Sequence, residues 1–227
     1  MLRGQSARLA DSLTADEPIR GVIARFRRPC VRHADTERRT APPAAGRQPT
    51  LSGMQSPGPF PDVVEIVVEI PRGSRNKYEY DEEAHVYRLD RVLSSAVFYN
   101  FDYGFIESTR AGDGDHTDAL LIIDEPTFTG CHVWARPIGG LEMRDEKGFD
   151  FKTLCVALGD AHQQHIERLE QVRPHRLVEI EHFFQTYKAL EDKTVDIRGW
   201  RDRDRALEVL RADRELWIAE GHTAASR

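Results

Sequence analysis

Residues 63–70 of the chain have the sequence VVEIVVEI and mark the point where regular structure is expected to begin. Side chains of a β-strand alternate between its two faces, so residues two apart share a face. Glu65 and Glu69 therefore lie opposite an apolar set made of Val64, Ile66, Val68 and Ile70. The segment predicts a strand with one face in the core and the other toward water.

Further strands are expected after this one. KYEYD at 77–81 and HVYRLDRV at 85–92 are separated by acidic turn residues, which predicts a hairpin with Lys77 and Glu79 on one face. ALLIID and CHVWARPIG, at 119–124 and 131–139, predict two more strands with proline or glycine near their ends.

Helical patterns follow only late in the chain. An apolar stripe with helical spacing is formed by Leu177, Ile180, Phe184 and Tyr187. A second helix is predicted over 202–219, with Leu207, Leu210 and Trp217 on one side. Short strands followed by two helices indicate an α+β domain whose sheet can close into a small barrel.

Composition excludes some classes of protein. The 227 residues carry a formal net charge of −6, which argues against a nucleic-acid binder because phosphate backbones require a cationic face. No apolar run approaches the roughly 18 residues of a membrane span. The three cysteines, Cys30, Cys131 and Cys155, form no disulfide framework, which favours a reducing, cytoplasmic setting.

The first part of the chain differs from the rest in charge and proline content. Residues 1–53 contain ten arginines and five acids, and eight of the twelve prolines precede residue 62. Such a segment cannot bury enough apolar surface to offset its ordering entropy. We expect 1–55 to be a disordered extension, either a targeting peptide or sequence upstream of a true start at Met54. Residues 56–220 are then the folded domain and 221–227 a flexible tail.

The stretch GDGDHTD at 112–118 places Asp113, Asp115 and Asp118 within six residues, despite their mutual repulsion. It resembles the start of a calcium-binding EF-hand loop, but Asp118 stands where that loop needs glycine and Asp124 where it needs glutamate. The flanking residues are typical of strands rather than helices. A calcium hand is therefore disfavoured, although a cation between the carboxylates is expected.

A second acidic cluster occurs in MRDEKGFDFK at 143–152, where Asp145, Glu146 and Asp150 lie beside Lys147 and Lys152. Gly148 predicts a flexible loop here. Magnesium binds hard oxygen ligands and commonly joins carboxylates to substrate phosphates. The two clusters predict either a site for metal and phosphate or a pair of solvated loops.

Six motifs in order decide between these alternatives: EIPRGSRNKYEYD, LDRVL, YGFIEST, DGDHTD, MRDEKGFDFK and HFFQTYK. Over about residues 62–200 they resemble family I soluble inorganic pyrophosphatase, in its short bacterial form. The resemblance implies a five-stranded, OB-like closed β-barrel with two main α-helices packed outside. It also implies Mg²⁺-dependent hydrolysis of pyrophosphate to two phosphates by a metal-activated bridging water, with Mn²⁺ or Zn²⁺ as possible substitutes.

The resemblance also implies roles for individual residues. Asp115 would accept the proton from the attacking water. The metal-binding carboxylates would be Asp113, Asp118, Asp145, Asp150, Glu79 and Glu69. Phosphate oxygens would be bound by Lys77, Arg91, Tyr103, Tyr187 and Lys188, with Lys152 in the polar network. The hydroxyl of Tyr187 has a second interpretation, as the wet edge of a core tyrosine.

Some features depart from the family pattern or remain open. His116 replaces the proline usual in the aspartate loop, which is expected to loosen that loop. His162 and His165 are expected to be surface residues, and Cys155 a buried apolar one. A homo-oligomer, with a hexamer favoured, is also implied. The alternatives are a catalytically weak assembly module and an OB-like oligonucleotide binder, which the acidic core domain disfavours.

Overall fold

The computed structural model describes residues 56–145, 148–191 and 195–222. The predicted disordered extension, 1–55, lies outside these residues, as do 223–227 of the predicted tail. The described elements, in chain order, are β1 (Val64–Ile70), β2 (Asn76–Asp81), β3 (Val86–Val92), β4 (Asp102–Ile106), β5 (Thr117–Ile122), β6 (His132–Asp145), β7 (Gly148–Ala157), a 3₁₀ turn (Leu169–Gln171), α1 (Pro174–Thr186), β8 (Asp196–Arg201) and α2 (Arg203–Ala219).

Six strands form one sheet in the order β1-β4-β5-β7-β6-β8. β1 also pairs with β6, so the pairings of five strands return to their starting point, while β8 extends the sheet from β6. β5 and β7 are parallel, and the other pairs in this sheet are antiparallel. The α+β class is confirmed, with two helices beside a core made mostly of sheet.

β1 forms as the alternation predicts. Its apolar face is buried, whereas Glu65 and Glu69 are partly exposed. Val67, on the same face as the two glutamates, is also buried, so this face is only partly open to water. β4 approaches β1 closely at Gly104, where an added Cβ would lie 1.9 Å from the carbonyl oxygen of Val67. The central pair therefore requires glycine at this position.

β2 and β3 form the predicted hairpin as a separate two-stranded sheet. Most of MRDEKGFDFK, where a loop was predicted, is strand. β6 and β7 pair antiparallel as far as Asp145 opposite Gly148, whose φ is 119°. Glu146 and Lys147 lie outside the described residues. Charged residues interrupt the apolar pattern of this hairpin because several of them point into a polar cleft, which concealed the strands.

The two helices follow the predicted pattern. Ile180, Phe183 and Phe184 of α1 are buried in a core that includes Phe101 and Tyr99. α2 begins after Asp202, whose side chain accepts a hydrogen bond from Arg205 N at 3.0 Å and caps the helix. None of the described helices is long and apolar enough to cross a membrane.

Candidate active site

A cleft of about 510 Å³ opens where the β2–β3 hairpin, the loop before β5 and the end of the β6–β7 hairpin meet. It brings together twelve of the thirteen residues that the sequence singled out, from segments far apart in the chain. They are Glu69, Lys77, Glu79, Arg91, Tyr103, Asp113, Asp115, Asp118, Asp145, Asp150, Lys152 and Lys188.

Charge in this cleft is strongly unbalanced. Glu82 and Asp90 raise the number of carboxyl groups in its lining to nine, against four lysines and arginines. Carboxylates at this density repel one another and would also repel an anionic substrate. The donor set consists mainly of hard oxygens, the ligand type that hard divalent cations accept.

The aspartate loop has a defined conformation. Ala111 N donates to Asp115 O at 2.8 Å, and Asp115 N donates to Asp113 Oδ1 at 3.2 Å. Gly114 has a φ of 92°, a conformation that glycine adopts without strain. Arg110 Nη1 donates to the carbonyl oxygen of Gly114 at 2.7 Å. These contacts hold Asp113 and Asp115 at the exposed edge of the cleft.

Helix α2 fixes the loop from behind through Asp213. Thr117 Oγ1 donates to Asp213 Oδ2 at 2.7 Å, and Arg110 N donates to Asp213 O at 2.9 Å. Burial raises the pKa of Asp213 to about 6, although the bond from Thr117 opposes this shift. Asp213 thus links the helix to both ends of the loop that carries the aspartates.

Lys152 on β7 lies between two of the predicted metal ligands. Its ammonium contacts Asp118, lies 2.9 Å from Asp150 Oδ2 and donates to the Tyr103 hydroxyl at 3.3 Å. Burial by itself lowers the pKa of Lys152, but the neighbouring Asp118, Tyr103 and Asp150 together hold it well above its usual range. Lys152 is therefore a fixed positive charge beneath the carboxylates.

Glu69 lies at an irregularity in the β1–β4 pairing between Val68 and Ile70. Its Oε1 accepts a hydrogen bond from Tyr80 N at 2.7 Å, which joins β1 to the hairpin. Burial raises the pKa of Glu69 to about 8, the Tyr80 bond opposes this, and Asp118 adds to it. Burial without a nearby cation therefore favours the protonated form of Glu69. A nearby cation would favour the ionised form.

The β2–β3 hairpin contributes two cations to the lining of the cleft. Lys77 and Arg91 are paired residues on β2 and β3. Lys77 contacts Glu79 and lies 3.4 Å from Asp90, while Arg91 Nε donates to Glu191 Oε1 at 3.0 Å. These acids orient the cations toward the cleft, where phosphate oxygens could replace some of their present partners.

Lys188 and Tyr187 come from the end of α1 and lie in different surroundings. Lys188 Nζ donates to Asp145 Oδ2 at 3.2 Å within the cleft. Tyr187 caps α1, is 6% exposed and packs on Phe183 and Phe184. It is not among the residues that line the described cleft. This placement favours the interpretation of Tyr187 as a core residue with a hydroxyl near Lys188.

The His116 side chain makes several contacts at its position in the aspartate loop. Its ring stacks on Phe105 at 4.7 Å, and its Nδ1 and Nε2 lie 2.8 Å from Thr109 O and 2.9 Å from Glu82 Oε1. Burial lowers the pKa of His116, with Glu82 opposing that shift. His116 thus anchors the loop at the position where the family commonly has proline.

The sequence reasoning missed the role of acids that orient the cations. Asp90 lies beside Arg91 within the quoted motif LDRVL, so its position was visible. Glu191 gave no such signal, because its contact with Arg91 joins residues 100 apart in the chain. His162 and His165 lie exposed in a turn outside the cleft, and Cys155 is fully buried, as predicted.

Comparisons with known proteins agree with this arrangement. A family model described as inorganic pyrophosphatase matches residues 66–218. The chain is 49% identical over 156 residues to an inorganic pyrophosphatase of Methanosarcina acetivorans, covering 69% of this chain and 93% of the relative. The crystal structure of inorganic pyrophosphatase from Thermus thermophilus superposes with a TM-score of 0.69 at 47% identity, covering 70% of this chain and 93% of that one.

Proposed function

The chain belongs to family I of the inorganic pyrophosphatases and is an inorganic diphosphatase, and we propose that it hydrolyses pyrophosphate to two phosphates in a Mg²⁺-dependent reaction. The observation that supports the metal requirement is that nine carboxyl groups, but only four lysines and arginines, line one cleft. Such a cleft attracts pyrophosphate only after it has bound cations. We further propose that the ring of five paired strands is the closed OB-like barrel.

The metal ligands in this proposal are Asp113, Asp118, Asp145 and Asp150, with Glu69 and Glu79 contributing through water. Bound Mg²⁺ would neutralise charge on pyrophosphate and lower the pKa of a water shared between two ions. Mn²⁺ or Zn²⁺ could replace it, since both accept carboxylate oxygens. Lys152 limits the repulsion between Asp118 and Asp150 and so keeps them close enough to act together.

Asp115 is the proton acceptor in this proposal. It lies exposed at the cleft edge, and its backbone is held on both sides by hydrogen bonds within the loop. The attacking water gives its proton to the Asp115 carboxylate as its oxygen bonds to phosphorus, and the second phosphate leaves. Lys77, Arg91 and Lys188 bind the phosphate oxygens. The hydroxyl of Tyr103 accepts a hydrogen bond from Lys152, so Tyr103 contributes to the site by orienting that ammonium group.

The test is phosphate release from pyrophosphate by the purified protein, with and without excess Mg²⁺. Asp118→Ala should abolish rapid release, while Asp124→Ala, the same change at an exposed aspartate outside the cleft, should leave it unchanged. Folded wild type that releases no phosphate with Mg²⁺ would overturn the proposal and favour an assembly module.

We also propose a homo-oligomer, with a hexamer favoured, in the cytoplasm. Phe98, Phe128 and Phe149 are exposed, and self-association would cover any of them that lie at a subunit contact. Cys131 and Cys155 are free thiols, in keeping with a reducing compartment. Light scattering after size-exclusion chromatography would give the number of subunits.

A further inference from the structure

A second cavity, of about 890 Å³, lies beside the acidic cleft and shares Tyr80, Phe105 and His116 with it as walls. The hydrolysis proposed above does not use this cavity. Part of its lining is a group of Glu65, Glu107 and His132, none of which lines the cleft. This group has the chemistry of a metal site.

The register of three neighbouring strands brings the group together. Ile66 of β1 is paired with Ile106 of β4, and Glu107 N donates to Glu65 O at 3.1 Å, so the two glutamates lie opposite each other. On the other side, His132 of β6 is paired with Val67, which shares a strand face with Glu65. The three side chains therefore project from one face of the sheet.

Distances within the group suit direct coordination. One ligand atom from each residue lies within 4.8 Å of the other two. His132 Nδ1 is 2.9 Å from Glu65 Oε1 and 3.8 Å from Glu107 Oε1. Ligand bonds of about 2.1 Å in a tetrahedral zinc site separate neighbouring donors by about 3.4 Å. The observed distances lie on either side of this value, so small side-chain rotations would complete the geometry.

The positions of Glu65 and Glu107 in the sheet are electrostatically unfavourable. Glu65 and Glu107 face each other across an antiparallel pair, an arrangement that destabilises a sheet when both are ionised. A divalent cation would convert this repulsion into attraction. One imidazole nitrogen and two carboxylate oxygens form the mixed donor set that Zn²⁺ accepts, whereas Mg²⁺ favours oxygen alone. The cavity leaves space for a water or another ligand at the fourth position.

We propose that Glu65, Glu107 and His132 form a second metal site, separate from the catalytic cleft, for a divalent cation of the Zn²⁺ class. This proposal does not depend on hydrolysis of pyrophosphate. Two of its ligands lie on β1 and β6 and the third directly follows the last residue of β4, so the bound ion would join these three strands. It would also form part of the wall of the cavity beside His116.

The test is the number of Zn²⁺ ions bound by metal-stripped full-length protein, measured by equilibrium dialysis in millimolar Mg²⁺ so that the cleft is loaded with its own cation. Wild type should bind about one Zn²⁺ per chain more than His132→Ala or Glu107→Gln. His162→Ala removes an exposed histidine outside the group and should bind as wild type does.

Activity with Mg²⁺ should be unchanged in His132→Ala and Glu107→Gln, which also verifies that both variants fold. Asp118→Asn, which alters the cleft, should retain the additional Zn²⁺. Equal Zn²⁺ binding by wild type, His132→Ala and Glu107→Gln would overturn the proposal and leave His132 as a hydrogen-bonding partner of Glu65 beside Glu107. Loss of the same ion in Asp118→Asn would assign it to the cleft instead.

Discussion

Lys77 and Arg91 face each other directly across the β2–β3 pair, so two cations lie side by side at the edge of an acidic cleft. Like charges in such positions repel. Asp90 contacts both of them, at 3.4 Å from Lys77 Nζ and 2.5 Å from Arg91 Nη1. The carboxylate of Asp90 therefore offsets the repulsion between the two cations.

We predict that Lys77→Met reduces kcat/KM for pyrophosphate. A hydrogen bond to a charged group contributes about 1.5–3 kcal/mol, so the expected loss is about ten- to a hundredfold. Steady-state phosphate release at saturating Mg²⁺ measures it. The control is Arg88→Met, which removes an exposed cation of the same hairpin outside the cleft lining. An equal loss in both variants would indicate damage to the hairpin rather than to phosphate binding.

Asp115→Asn should separate proton transfer from metal binding. General base catalysis typically contributes about 10²- to 10⁴-fold, so kcat should fall by that order. The Mg²⁺ concentration needed for half-maximal activity should remain close to that of wild type, because the predicted ligands are intact. Measuring phosphate release across Mg²⁺ concentrations gives both quantities. A large rise in the Mg²⁺ requirement with little change in kcat would instead make Asp115 a metal ligand.

Asp213 predicts a pH dependence of stability. Its folded pKa of about 6 exceeds the ordinary value of 3.8, so the folded protein binds this proton more tightly than the unfolded chain does. The stabilisation is complete below about pH 4 and is lost as the pH rises through about 6. Asp213→Asn keeps an acceptor for Thr117 and removes the titration.

The stability of Asp213→Asn relative to wild type should therefore increase between pH 4 and 7, by on the order of 2–3 kcal/mol. Urea unfolding of both proteins in EDTA at several pH values measures the difference. EDTA removes bound metal, which would otherwise add its own pH dependence. A difference in stability that stays constant over this range would mean that Asp213 has the same pKa in the folded and unfolded protein.

Parts of this structure that follow from local periodicity were predictable from the sequence. β1 and α1 each bury one regular apolar face, so their patterns are visible without tertiary information. The ends of β6 and β7 were mistaken for a loop because Asp145 and Asp150 point toward the cleft and interrupt that periodicity. Strands whose polar side chains line a cleft therefore lack the apolar alternation by which a strand is recognised in a sequence.

Contacts between distant parts of the chain were beyond local patterns. The hydrogen bond between Thr117 and Asp213 joins residues 96 positions apart, and it depends on where α2 packs. The group of Glu65, Glu107 and His132 depends on the register of two strand pairs. The motif resemblance identified the cleft residues as a set. It gave no information on these contacts, because it assigns no role to the residues that make them.

Gly104→Ala is expected to destabilise the fold more than an ordinary substitution in the sheet. An added Cβ at this position would lie 1.9 Å from Val67 O and 2.9 Å from Val68 Cα, and both are backbone atoms that cannot rotate away. Overpacking usually costs about 1–3 kcal/mol, and we expect a loss above 3 kcal/mol because β1 and β4 would have to separate.

Gly159→Ala is the matched control, since its Cβ would meet nothing within 4 Å and its φ is not positive. Thermal unfolding should therefore show a large drop in Tm for Gly104→Ala and almost none for Gly159→Ala. Similar Tm values for the two variants would mean that β1 and β4 can move apart without loss, and that the close approach at Gly104 does not hold the framework of the site.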